Sequence, residues 1–402
     1  MICLNNKIQR AESVFERVIY SKAFCYALPL AVLGIWLLTQ TVPSVGGYNL
    51  IQYLYTYDHG YVSRGFVGEV ISWFANTVTD ELTQKINTGF SWFLAVTAAL
   101  CIGKTFAAVR DDKQKYCQVF LVLAFMCALP FSLSQHLVDV KLDKLVWAIT
   151  LLAIFLSDKK FGIWLCPVLC ALATVINPVF VFTSMVLVAI IMLQEFRSNG
   201  YSKKNLAICI ISYAAIIVIA LIAPISQQYL GFETPKELVD FYFARYGGTV
   251  DEELYYNLVN EWVLDFFMPV KEIFGYVFDM YFEGGGGIRG LAFIVIEALP
   301  VFAVTEYIWG RAIKSENDKF QKFIFFLCAI APIVIIPAVI ISWDVSKYVG
   351  STVLVQLGLL VYYITKKNES VCGAVNKVAE FFKNNIFVSG AAILYALFII
   401  IN

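Results

Sequence analysis

From Ala23 to Ile401 the chain is a succession of apolar runs, and nearly every second connection between them carries lysine or arginine. No other feature constrains the fold as much. Inside a bilayer each backbone polar group must find its partner within the protein, so apolar runs of this kind cross as helices. Basic connections mark the cytoplasmic side. Composition agrees, with 60% hydrophobic and 15% charged residues, where a soluble domain has about a quarter charged. The formal charges sum to zero, so bulk charge gives no reason to expect a nucleic-acid partner.

The expected fold is therefore all-α, a single polytopic membrane domain over residues 1–402. Lys7, Arg10, Arg17 and Lys22 place the N-terminus in the cytoplasm. A first crossing, Ala23 to Val42, suits a signal anchor better than a cleaved signal peptide. An outer stretch follows over residues 43–88, and a second crossing runs from Gly89 to Val109. The third crossing spans Tyr116 to Phe131. The outer loop SLSQHLVDVKLDK leads to a fourth, Leu145 to Ser157. The apolar segment Phe161 to Gln194 is too long for one crossing. Pro178 lacks an N–H and disfavours helix at Asn177, so INPVF reads as an outer turn between two crossings. The seventh is Leu206 to Ile225, followed by a long outer segment over residues 226–290. The eighth, Leu291 to Gly310, and the ninth, Phe323 to Ile341, flank a basic connection. SWDVSKY is the next outer turn, before a tenth crossing from Val349 to Thr365. An amphipathic cytoplasmic segment precedes the last, Ile386 to Ile401. The count is about eleven crossings.

Ten cysteines are present, and this map puts none in an outer loop, so no structural disulfide is expected. Cys166 and Cys170 lie one helical turn apart without a histidine nearby, which suits small packing residues better than metal ligands.

The scarce polar residues gather on the outer side. YTYDHGYVSRGFVGEV, residues 55–70, holds Asp58, His59, Arg64 and Glu69. The second outer loop holds His136, Asp139 and Asp143, and the last outer turn holds Asp344 and Lys347. Polar groups near a membrane core are costly and mark functional sites. Gly60, Gly65 and Gly68 allow tight turns and close backbone approach. Phe66, Val67, Val70, Ile71 and Phe74 then recur at helical spacing, which reads as an interfacial amphipathic helix. The glycines do not match a nucleotide-binding spacing, and no HExxH, GxSxG or P-loop occurs. The long outer segment carries eleven acids against four bases. Its aromatic residues, Tyr242, Phe243, Tyr246, Tyr255, Tyr256 and Trp262, suit packing on the rim better than sugar binding. Lys104, near the inner end of the second crossing, is expected to snorkel to water.

An acid in a first outer loop with interfacial helices, a second acid between crossings three and four, and a large outer loop between seven and eight form a layout that resembles the GT-C fold of membrane glycosyltransferases. YDHGYVSRGFVG and SWDVSKY are also similar to segments of uncharacterised bacterial membrane proteins associated with polysaccharide synthesis. The resemblance implies an enzyme in the bacterial cytoplasmic membrane. Its donor would be a polyprenyl-phosphate-linked sugar, and its acceptor a glycan or lipid-linked glycan at the outer face. It makes Asp58 the general base or orienting group on the acceptor, with His59 sharing the task or binding donor phosphate. Asp139 or Asp143 becomes the second-loop acid. Arg64, Arg289, Lys347 and His136 become the groups that hold the donor phosphate. Arg289 ends EGGGGIRG, whose glycines suit a hinge, a phosphate cradle or a plain linker. No paired-acid DxD motif stands in the second loop, only DVKLD, so the resemblance implies no cofactor and leaves a divalent metal open. Two other readings stay open. One is an O-antigen-type polymerase joining lipid-linked repeats. The other is a transporter or flippase for a lipid-linked glycan, which Glu297 and Glu306 in the eighth crossing suit.

Overall fold

The computed structural model describes residues 16–46, 48–128, 133–159, 161–198, 200, 202–227, 231–259, 270–282, 287–341 and 345–401. Lys7, Arg10, Trp262, Asp344 and the glycines at 284–286 lie outside the described residues. Helix makes up 81% of the structure and no strand is present among the described residues, which places the chain in the all-α class.

In chain order the helices are α1 (Lys22–Thr39), α2 (Tyr48–Leu54), α3 (Phe66–Ser72), α4 (Asp80–Val109) and α5 (Lys113–Ala128). Then come α6 (Leu133–Val138), α7 (Asp143–Leu156), α8 (Gly162–Ile176), α9 (Met185–Ser198) and α10 (Lys203–Gln227). The long segment forms α11 (Pro235–Phe243), α12 (Glu252–Asn257) and α13 (Val270–Phe282). The last part holds α14 (Gly287–Ser315), α15 (Lys319–Ile330), α16 (Ile336–Ile341), α17 (Val345–Thr365), α18 (Glu369–Asn384) and α19 (Ile386–Ile401). Among the described residues, five helices are long and apolar enough to cross a membrane: Lys22–Thr39, Asp80–Val109, Lys203–Leu221, Lys319–Ile340 and Lys347–Thr365.

The fourth helix departs from the hydropathy reading. It starts at Asp80, more than two turns before Gly89, because Thr79 caps it by accepting from the Leu82 N–H at 3.3 Å. Asp80 and Glu81 in its first turn favour the positive end of the helix dipole. Its 30 residues reach about 45 Å, longer than the roughly 30 Å of a hydrocarbon core. Polar first turns are invisible to hydropathy.

At the centre stands α17, whose apolar window is 94% buried. It packs on α4, α14 and α9. Gln356 of this helix accepts from Trp309 Nε1 at 2.6 Å and donates to the Cys328 carbonyl at 2.9 Å. One buried amide thus joins α14, α15 and α17, and burial strengthens such bonds. The amphipathic α18 is capped by Asn368 and lays Val371, Val375 and Val378 inward. It covers α14 and α5.

Lys104 reaches the connection after α7. Its Nζ lies 2.8 Å from Asp158 and donates to the Phe155 carbonyl at 3.1 Å, at the C-terminus of α7. A cation there complements the negative end of the dipole. The nine described cysteines are free. Cys166 is buried, its thiol donating to the Ala153 carbonyl at 3.4 Å.

A second core joins residues 43–88 to the start of the long segment. Tyr53, Tyr55, Val62, Val67 and Ile71 share it with Leu238, Val239 and Tyr242. Tyr242 donates to the Thr56 carbonyl at 3.1 Å, and Arg245 to the Leu54 carbonyl at 2.8 Å. Val78 and Tyr246 form an isolated bridge beside them. Packing is thus the role of Tyr242, while Tyr256 is 66% exposed.

Candidate functional site

One end of the bundle gathers the polar residues of three distant segments. Asp143 opens α7, where a carboxylate favours the helix N-terminus. Lys347 sits in the first turn of α17, where the same dipole disfavours a cation, so it gains from an anionic partner. Their Nζ and Oδ2 lie 2.8 Å apart, with side chains only 9% and 12% exposed. Asp143 Oδ1 accepts from Asn177 Nδ2 at 2.8 Å. Asn177 occupies the break that Pro178 imposes after α8. It is extended (φ −151°, ψ 108°), and its own Oδ1 accepts from the Val179 N–H at 3.2 Å. Residues 143, 177 and 347 therefore meet at one carboxylate. Burial pushes the Asp143 carboxyl up, but Lys347, followed by Arg64 and Lys141, pulls harder and holds it below the usual range. Asp143 is ionised at neutral pH.

His136, on the short α6, is buried and stacks on Trp147 with ring centroids 6.4 Å apart. Its Nε2 has no hydrogen-bond partner among the described residues. Burial pushes the imidazole pKa down, and Lys347 and Lys141 add to this against the pull of Asp139 and Asp143. The net shift is downward, so His136 is neutral at pH 7. Asp139 accepts from the Lys141 N–H at 3.2 Å.

Lys144 was not singled out by sequence reasoning. It is fully buried, donating to Ser91 Oγ at 2.9 Å and approaching the Asn87 carbonyl at 3.5 Å. Burial, against the pull of Asp139, pushes its pKa down to about 8.

Residues 55–70 form a folded turn. Thr56 Oγ1 donates to Asp58 Oδ2 at 2.6 Å. His59 packs against Phe232 and Phe241, with centroids 4.7 and 4.5 Å away. Both Asp58 and His59 are exposed. Glu69 accepts from the Tyr57 N–H at 2.9 Å and from Trp73 Nε1 at 3.0 Å. Gly68 is obligatory, because a Cβ there would lie 2.2 Å from the Tyr55 carbonyl oxygen. Arg64 has φ 66°, a left-handed conformation that costs a non-glycine residue about 1 kcal/mol and concentrates at functional sites. Its charge reaches Asp143.

The predicted residues thus divide. His136, Asp139, Asp143 and Lys347 come together, with Arg64 within electrostatic range. Asp58 and His59 stand on an exposed turn against the long segment. Arg289 lies in the first turn of α14, and its side chain is outside the described residues. Among the described residues no three of His, Cys, Asp or Glu converge as metal ligands would. Asp143 is already engaged by Lys347 and Asn177, so these residues do not fit a metal ion. Asn177 and Lys144 are the site residues that sequence reasoning missed. A buried amide before a proline was the signal for Asn177, read only as a helix break.

No family model, no curated protein and no solved structure matches this chain. The functional reading rests on the residues of this site.

Proposed function

We propose that the chain is a GT-C-like membrane glycosyltransferase. It crosses the bacterial cytoplasmic membrane about eleven times, with its N-terminus inside. It moves a sugar from a polyprenyl-phosphate-linked donor to a glycan or lipid-linked acceptor at the outer face. The observation that carries this reading is the convergence of Lys347, Arg64 and His136 around Asp143. Breaking a sugar–phosphate bond leaves negative charge on the phosphate, and preorganised cations stabilise it as it grows. Lys347 and Arg64 supply that charge. Asp143, fixed by Asn177, holds Lys347 in place until the phosphate arrives. Asp58 stands on the exposed turn, where a carboxylate orients an incoming acceptor hydroxyl.

A second reading, a flippase for a lipid-linked glycan, draws on the opposite end of the bundle. There Glu195, 3% exposed, meets Lys366 at 2.5 Å and accepts from the Tyr362 hydroxyl at 2.9 Å. One assay separates the two. The protein in nanodiscs is given undecaprenyl-phosphate-linked radiolabelled hexoses, with water or oligosaccharide as acceptor. The transferase reading expects label to leave the lipid with wild type and to stay with Asp143→Asn. If wild type moves no label yet carries the same lipid across liposome leaflets, the flippase reading replaces it.

A further inference from the structure

The proposed function leaves His136 in a role that does not suit it. A histidine holds phosphate best as a cation, whereas burial disfavours the charged form of this imidazole and Lys347 and Lys141 add to that. The geometry fits the reverse task. A neutral imidazole has one donor and one acceptor nitrogen, and here Nε2 is buried without a partner among the described residues. With the proton on Nδ1, that nitrogen is an acceptor within electrostatic range of Asp143 and Lys347. The carboxylate of Asp143 is the poorer base, since a carboxylate holds a proton less tightly than an imidazole.

We infer that His136 is the proton acceptor of the glycosyl transfer. The inference rests on the transferase reading. In the step, the bond from the anomeric carbon to the donor phosphate oxygen breaks, and its electron pair stays with the phosphate. A bond forms between that carbon and the acceptor hydroxyl oxygen, and the hydroxyl proton passes to His136 Nε2. Asp139 and Asp143 face the ring and stabilise the imidazolium as it forms. Burial is the main cause of the neutral ring, and Lys347, drawn from Asp143 to the donor phosphate, removes one of the two cations that add to it. Nε2 is sealed in the resting state, so the step requires a donor-bound state in which the acceptor hydroxyl reaches it. Stacking on Trp147 holds the ring in place meanwhile.

The chain has two histidines, so a His59→Gln background leaves one imidazole for nuclear magnetic resonance. Protein carrying 15N-histidine is reconstituted in nanodiscs and titrated with undecaprenyl phosphate. The His136 signal is expected to be neutral at pH 6.5 and to move on saturation. In the labelled-hexose assay, His136→Gln is expected to lower kcat about a hundredfold or more. Donor KM should stay within about twofold, and the acid limb of kcat/KM, below about pH 6.5, should vanish. If tritiated undecaprenyl phosphate binds but the imidazole signal stays still, His136 is not at the site. If His136→Gln keeps its turnover and acid limb, another group takes the proton. Either result overturns the inference and spares the transferase reading. If wild type binds no lipid phosphate and moves no sugar, the transferase reading itself falls.

Discussion

Lys347 and Asp143 form a buried pair on which both stability and the proposed chemistry depend. Removing one partner of a buried pair leaves an uncompensated charge, at a cost of about 3–5 kcal/mol. Lys347→Ala should therefore destabilise the protein by that order in chemical unfolding, while the paired Asp143→Asn/Lys347→Met change should recover most of it. Lys144 runs the other way. Its pKa, pushed down to about 8, means that the unfolded chain binds the proton more tightly than the folded one. Stability should rise with pH from about 8 toward the unfolded lysine value near 10.4. Lys144→Met should raise stability at pH 7 and remove that rise. His136 is depressed as well, so its contribution is present above about pH 6.5 and is lost as pH falls from there toward its folded value. Acid unfolding of His136→Gln tests this. His136, Asp143 and Lys347 were legible in the sequence because each is a polar residue beside an apolar run. Asn177 and Lys144 were not, since their partners come from helices far away in the chain.

At the scale of elements, the glycines separate packing from flexibility. The Cβ of an alanine at position 68 would meet the Tyr55 and Tyr53 carbonyl oxygens at 2.2 and 2.9 Å. Backbone cannot swing aside as a side chain does, so α3 must shift off α2. Gly68→Ala should cost about 1–3 kcal/mol and displace the 55–70 turn, read as faster proteolysis there. Gly89, inside α4, is the contrast, because a Cβ added there would meet nothing within 4 Å. Gly89→Ala should stabilise by about 0.5–1 kcal/mol. The helical character of α3 and α18 was legible from amphipathic spacing, and that of α9 and α17 from the length of their apolar runs. The true start of α4 was not, because a threonine cap and two acids extend a helix without adding hydrophobicity. The union of residues 43–88 with α11 also escaped the sequence. It depends on Tyr242 and Arg245 reaching backbone carbonyls, and backbone acceptors are the same in every sequence.

At the scale of the molecule, charge is concentrated at two ends of an apolar bundle. Lys347 and Asp143 mark one end, and Lys366, Glu195, Lys104 and Asp158 the other. The alternation of basic connections predicts that the first end faces outward. The measurement that tests the central claim most directly is a profile of lipid-linked sugars in cells. Wild type is compared with the stability-matched Asp143→Asn/Lys347→Met variant at equal protein level. The account predicts that the variant accumulates the polyprenyl-phosphate-linked donor and loses its extended product. Identical profiles in the two strains would contradict it, and the Asp143–Lys347 pair would then be a structural clamp.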